Sequence, residues 1–274
     1  MKALVVTAPG WLEIRDIPAP KPGPYDALVR IEWCGICNST DHKLLMGQMS
    51  WAPPCPFVLG HEAAGTVLEV GPHVRKYKPG DVVTRPMAFW PGSRPGMNIA
   101  IGGFAEYGLV RDVAAMAADG DKLMANDYTS SRQVVVPKGL STRDAALAIS
   151  LSETASALRH LPHPRGLTIL VAVKLAQELL AVLKPGGFAS AYGAPAAGQA
   201  YPPGWQNAQP EEHLSLPWVA GLLARGWVKP EWFVTHTWEF AQVIEAIGQA
   251  QRGDVLKGLV RISRSGTTEI RRKT

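Results

Sequence analysis

Cys34-Gly-Ile-Cys-Asn-Ser-Thr-Asp-His42, followed by Gly60-His-Glu-Ala-Ala-Gly-Thr-Val67, is the stretch whose reading decides both fold and chemistry. A soft thiolate, an imidazole and a carboxylate are the ligand types of a catalytic zinc, in which three or four protein groups leave room for water or substrate. Cys37, His61 and Glu62 supply that set. Ser39 lies two residues past the cysteine and His42 five past it, so a hydroxyl and an imidazole stand ready to relay a proton. Taken alone, Cys-x-x-Cys also fits a redox pair or half of a structural zinc site, and Cys34 also fits a small buried residue.

The same residues, with Pro56-Phe-Val-Leu59 between the motifs and Lys78-Pro-Gly-Asp-Val-Val83 after them, resemble the zinc-dependent medium-chain dehydrogenase/reductase superfamily of alcohol, polyol and threonine dehydrogenases. The resemblance implies that Cys37 and His61 bind the catalytic zinc. It implies that Glu62 lies beside the metal and exchanges with bound water, that Ser39 touches the reacting oxygen, and that His42 relays its proton. Many members orient the ligand histidine with an aspartate three residues after the cysteine, whereas here Thr40 takes that place and Asp41 follows. The glutamate of Ala148-Ile-Ser-Leu-Ser-Glu-Thr-Ala155 is by default a solvated helix residue; the resemblance makes Glu153 the fourth zinc ligand. Members also carry a four-cysteine structural zinc lobe between the positions of Thr84 and Gly102. This chain has Phe89, Trp90, Pro91, Gly92 and Pro95 there, and with three cysteines in all it predicts one catalytic zinc and no structural zinc.

The chain has 274 residues, 46% of them hydrophobic, enough for a proper core. Its net charge of +5 is spread out, with only a short basic run at Arg271, Arg272 and Lys273, so no nucleic-acid partner is expected. Cys34, Cys37 and Cys55 form no disulfide framework, which predicts a reducing, cytoplasmic setting. The opening apolar run is too short for a signal peptide, and Leu167 to Leu183 is interrupted by Lys174, Gln177 and Glu178, so no membrane association is expected.

Strands are expected at Lys2 to Val6, Ala27 to Trp33, Val58 to Val70 and Asp81 to Thr84, punctuated by glycine and proline. Many short strands of this kind predict a compact, barrel-like β domain. By resemblance this is the chaperonin-10-like (GroES-like) catalytic domain, matched over about residues 1 to 112 and ending in Gly102-Gly-Phe-Ala-Glu-Tyr107. Residues 111 to 140 read as irregular, with a loop at Asn126, Asp127 and Tyr128, until Gln133 to Val136 resume as a strand. Ser141 to Leu161 reads as a helix capped by Ser141 or Thr142.

A dinucleotide domain would open with Gly-x-Gly-x-x-Gly at a strand-to-helix turn. No two of the 27 glycines are two residues apart, so the fingerprint is absent from the sequence. Leu167 to Val173 as a strand, Leu175 to Leu183 as a helix and Lys184-Pro-Gly-Gly187 resemble a late piece of such a domain. After a loop at 194 to 213, a helix at Trp218 to Arg225, the run Thr235-His-Thr237, a helix at Phe240 to Ala250 and a strand at Val255 to Ile262 resemble the family's closing segment, and the dense tryptophans there are expected to pack. The expected fold class is therefore α+β or α/β: a GroES-like β-barrel over 1–155, completed by 235–274, and a reduced Rossmann-type remnant over 156–234.

With no residue assignable to NAD(P), that cofactor is doubtful from sequence alone. The sequence reading is a zinc enzyme acting on a hydroxyl or carbonyl small molecule by redox-neutral chemistry (elimination, hydration, isomerisation, cyclisation or aldol type), with Ser39, His42 and Glu62 as catalytic groups. Its alternatives are an NAD(P)-dependent zinc alcohol dehydrogenase with an unusual cofactor site, and a noncatalytic zinc-binding relative. Relatives are commonly dimers or tetramers, which makes a homodimer one assembly to expect.

Overall fold

The computed structural model describes residues 1–120, 130, 132–159, 190–191, 206–207 and 211–263. Two sheets organise the amino-terminal part. In the first, β1 (Lys2–Ala8) pairs antiparallel with β2 (Trp11–Asp16) and β4 (Phe57–Val58), and β4 pairs parallel with β7 (Asn98–Ile99). In the second, β3 (Asp26–Ile36) is the centre: β5 (Glu62–Val70) pairs along one edge, and the other edge is shared by β8 (Tyr107–Arg111) and β12 (Lys257–Arg261). Strands β6 (Val82–Thr84) and β11 (Val234–Glu239) flank them, beside β5 and β12 respectively.

This arrangement follows from β3 itself. Nearly every residue of Asp-Ala-Leu-Val-Arg-Ile-Glu-Trp-Cys-Gly-Ile is buried, on both faces, as in a strand enclosed by other layers. Leu4, Ile31, Ile36, Phe57, Leu59 and Phe104 fill one core beneath it, and Ala27, Val29, Val67, Val83 and Val110 fill another at its start. Helix α3 (Thr142–Arg159) lies across the sheet, and α4 (Glu212–Ala224) packs on α3. The residues Ala145 to Ile149 of α3 are consecutive and all buried, so this stretch of the helix is apolar all round because it is covered on all sides. The Ser141 hydroxyl accepts the Asp144 N–H at 3.1 Å, as expected of its cap, and Thr142 anchors the helix to the sheet by donating to Glu32 at 2.8 Å.

Several boundaries differ from the sequence reading. Gly60 and His61 interrupt the run from Val58 to Val70, separating β4 from β5. Gly60 has a φ of +99° and no room for a side chain: a Cβ would meet Phe104 Cδ2 at 2.6 Å and its N at 2.7 Å. Gln133 to Val136 is not a strand; Val135 makes one isolated bridge to Val83, and Gln133 is used through its side chain, which donates to the Arg85 and Leu109 carbonyls. Short helices α1 (Thr40–Leu45) and α2 (Val113–Ala118), and strand β2, stand where the sequence predicts no element. Helix α4 starts at Glu212, before the predicted Trp218, and contains Pro217. Helix α5 (Val243–Gln251) follows a single tight turn at Phe240–Gln242. Trp218, Trp227 and Trp232 are exposed rather than packed, and among the described residues of this group only Trp238 is buried. Leu167 to Val173, Leu175 to Leu183, Lys184 to Gly187, Trp205 and the loop at Asn126, Asp127 and Tyr128 lie outside the described residues.

The segment between β6 and β7 is held by cation–π contacts. The Arg94 guanidinium stands 4.5 Å from the Phe89 ring and that of Arg111 3.9 Å from the Trp90 ring, while the Trp90 indole donates to Asp26 at 3.0 Å. No helix among the described residues is long and apolar enough to cross a membrane.

The β3–β5 pairing is tightest at Gly65, where an added Cβ would overlap the Arg30 carbonyl and lie 2.9 Å from Ile31 Cα, both backbone. Gly65→Ala should therefore destabilise the protein by about 2–3 kcal/mol. Gly80→Ala, with φ +89° and open space around it, should cost only about 1–2 kcal/mol for its left-handed backbone. Urea denaturation of both variants checks the ordering.

Candidate metal centre

The site arises from strand register. Gly35 of β3 is opposite Glu62 of β5, so the residues that leave β3 meet those that enter β5. Cys37 follows β3, His61 precedes β5, and Glu62 is the first residue of β5. Their ligand atoms all lie within 4.8 Å of one another. His61 and Glu62 are buried and Cys37 is half-buried. Gly35 is part of the seat, since a Cβ there would overlap the Glu62 carboxylate.

Asp41 ties two of these groups together. Its Oδ2 accepts the Cys37 N–H at 2.9 Å and its Oδ1 lies 3.0 Å from His61 Nδ1. The ring is thereby fixed with Nε2 available on its other side, the arrangement by which a carboxylate orients a ligand histidine. Thr40 acts through its backbone instead, its N–H donating to Cys37 Sγ at 3.3 Å. Asp41, one residue later than the position familiar in the resembled family, thus orients the histidine. Burial pulls the His61 pKa down, but the Asp41 carboxylate and the Cys37 sulfur outweigh it and hold the imidazole well above its ordinary value. Surroundings that favour a proton on this ring also favour a metal cation.

Lys257, at the start of β12, forms an ion pair with Glu62 and donates to the Ile36 carbonyl at 3.1 Å. Burial lowers its pKa, but Glu62 and Cys37 more than compensate and hold it raised, so it stays charged. Sequence reasoning missed Lys257 because nothing in its local pattern marks it; only the β3–β12 pairing brings it to the site. Ser39 caps α1 and is exposed, and His42, in the first turn of that helix, is half-buried. Cys34 is fully buried in β3, and that burial pushes its thiol well above the usual range, making it inert.

Glu153 is not brought to the ligand group. Its carboxylate lies 2.5 Å from the Arg85 guanidinium, and the group of convergent donors among the described residues is Cys37, His61 and Glu62. Its place on α3 gives it this contact to a buried cation, which local sequence does not reveal. The donors present fit zinc: sulfur, nitrogen and carboxylate oxygen, an oriented imidazole and three protein groups rather than a closed set of four.

Residues 23–119 match the sequence model of the alcohol dehydrogenase GroES-like domain. Human sorbitol dehydrogenase is 34% identical over 161 residues, which are 57% of this chain and 44% of that protein. Rat sorbitol dehydrogenase is 45% identical over 82 residues, 30% of this chain and 23% of that one. The chain thus spans less than half the length of the curated relatives it matches. In fold it is similar to alcohol dehydrogenase TADH from Thermus sp. ATN1 (TM-score 0.69, 20% identity, covering 95% of this chain and 99% of that one). It is also similar to a short chain alcohol dehydrogenase from Escherichia coli CFT073 complexed with NADH (TM-score 0.70, 16% identity, covering 95% and 99%).

Removal of Asp41's charge should weaken zinc binding about 10–100-fold in Asp41→Asn, whereas Cys37→Ala should abolish stoichiometric zinc and Cys34→Ala should retain it. Metal analysis of the dialysed proteins reads all three. With the motifs and the three-donor geometry, the match identifies residues 23–119 as an alcohol dehydrogenase GroES-like domain, in a chain similar to sorbitol dehydrogenases.

Proposed function

We propose that this protein is a zinc-dependent oxidoreductase that interconverts a small hydroxyl compound, a polyol or related alcohol, with its carbonyl form, using NAD(P) as hydride carrier. The observation that carries the reading is the group of three mixed donors, Cys37, His61 and Glu62. A structural zinc closes its coordination with four protein ligands, whereas a three-donor site leaves a position for substrate. The likeness to sorbitol dehydrogenases favours oxidation and reduction over the redox-neutral reactions considered from sequence.

Zinc held by these residues would act as a Lewis acid on the substrate oxygen, with one metal per chain. The protein's own groups then divide the remaining work. In this reading Ser39, exposed at the start of α1, would accept the proton of the substrate hydroxyl, and His42, three residues on, would pass it to solvent. Glu62 is held by Lys257 and, with zinc bound, would be the exchangeable member of the donor set. Asp41 keeps the His61 ring in one orientation throughout.

The redox-neutral reading keeps one observation in its favour, the absence of any Gly-x-Gly in the sequence. One assay separates the two. Zinc-loaded protein is mixed with sorbitol and other polyols and with NAD⁺ or NADP⁺, and absorbance of the reduced nicotinamide is followed. Nicotinamide-dependent turnover is expected, and Ser39→Ala should lower kcat roughly 10²-fold, the scale of a lost proton-transfer group. Zinc-dependent conversion of a hydroxyl or carbonyl compound without any nicotinamide would instead establish the redox-neutral chemistry.

A further inference from the structure

Arg85 follows β6 and has a φ of +53°, a left-handed conformation uncommon outside glycine. Both its backbone groups are committed: its N–H donates to the Ala63 carbonyl at 2.7 Å, and its carbonyl accepts from Gln133 at 3.1 Å. The backbone is thus pinned in a pose that sends the side chain inward, where the residue is only 4% exposed.

There the guanidinium meets three elements at once. Nη1 donates to the His61 carbonyl at 2.8 Å, Nη2 donates to Glu153 of α3 at 2.5 Å, and Nη2 also lies 3.0 Å from Glu212 of α4. Glu212 in turn pairs with Arg132 at 3.1 Å. Burying a guanidinium costs several kcal/mol unless its donors are met; here two carboxylates and one carbonyl meet the two Nη groups, while Nε has no hydrogen-bond partner. A planar fork reaches acceptors on different sides at fixed angles; a lysine ammonium is a single point charge and does not.

We infer that Arg85 is a positioning residue for the metal centre: it fixes the His61 main chain from behind while Asp41 fixes the ring from the side. Glu153 and Glu212 orient the guanidinium, so the docking of α3 and α4 is coupled to the geometry of the ligand histidine. This rests on Cys37, His61 and Glu62 being the metal ligands.

Cobalt(II) replaces zinc as a spectroscopic probe, with metal affinity and d–d bands as readouts that general stability does not move. Arg85→Lys keeps the charge and loses the fork; it should bind cobalt about tenfold more weakly, the lower end of the effect of losing a group that orients a ligand, with displaced bands. Arg111→Lys removes the fork from a comparable ion pair with Asp26, at the other end of β3, and should leave the bands unchanged. Parent-like affinity and bands in Arg85→Lys, or equal displacement in Arg111→Lys, would overturn the inference. If Arg85→Lys does not fold, Glu153→Gln serves: a smaller displacement in the same direction supports the inference and parent-like bands refute it. A parent protein that binds no cobalt would remove the metal centre and this inference with it, an outcome distinct from a normal parent and an unaltered variant.

Discussion

The constraint on which the structure depends is the antiparallel register of β3 and β5. Because Gly35 faces Glu62, the chain leaving one strand and the chain entering the other converge at a single end of the sheet. A slip of one residue would turn every side chain of β5 to the opposite face. It would move Glu62 out of reach of Cys37 and bury the wrong residues beneath β3. Glycines enforce the register where strands come closest: Gly65 against the Arg30 carbonyl, and Gly35 under the Glu62 carboxylate. Packing and chemistry therefore share one geometric cause, and a sequence that satisfies the core also assembles the donors.

Charge is the second constraint. In the network described, the carboxylates of Asp41, Glu62, Glu153 and Glu212 face the cations Arg85, Arg132 and Lys257 and the His61 imidazole. Buried charge left uncompensated costs several kcal/mol per ion, so these groups hold one another in place by pairing. Lys257 and Arg85 share out the carboxylates: Lys257 holds Glu62, and Arg85 holds Glu153 and Glu212.

Legibility in the sequence follows the range of the interactions. Cys37, His61 and Glu62 are readable because each sits in a short motif, and the central strand is readable from its apolar run. The cap at Ser141 is readable for the same reason: the hydroxyl and the N–H it accepts are three residues apart. What is not readable depends on contacts between distant parts of the chain. Lys257 reaches Glu62 only because β12 lies beside β3, and Arg85 finds α3 and α4 only after the helices dock on the sheet. Glu153 is a further case. Its position on a helix near the site is evident from sequence, but whether it meets a metal or a guanidinium depends on a residue 68 positions away. The exposed Trp218, Trp227 and Trp232 show the same limit, since composition reports hydrophobicity and says nothing of which face a helix or turn presents.

The donors come from residues 37 to 62, and the groups shown to support them are Asp41, Arg85 and Lys257, with Glu153 and Glu212 behind Arg85. The metal centre described is assembled by strand register and ion pairing. This assembly gives the zinc reading its strength, because the geometry at Cys37, His61 and Glu62 follows from it. It also assigns α3 and α4 a specific role. They are the elements through which changes elsewhere in the chain would reach the ligand histidine, by way of two glutamates and one arginine, and they would act on the metal without touching it.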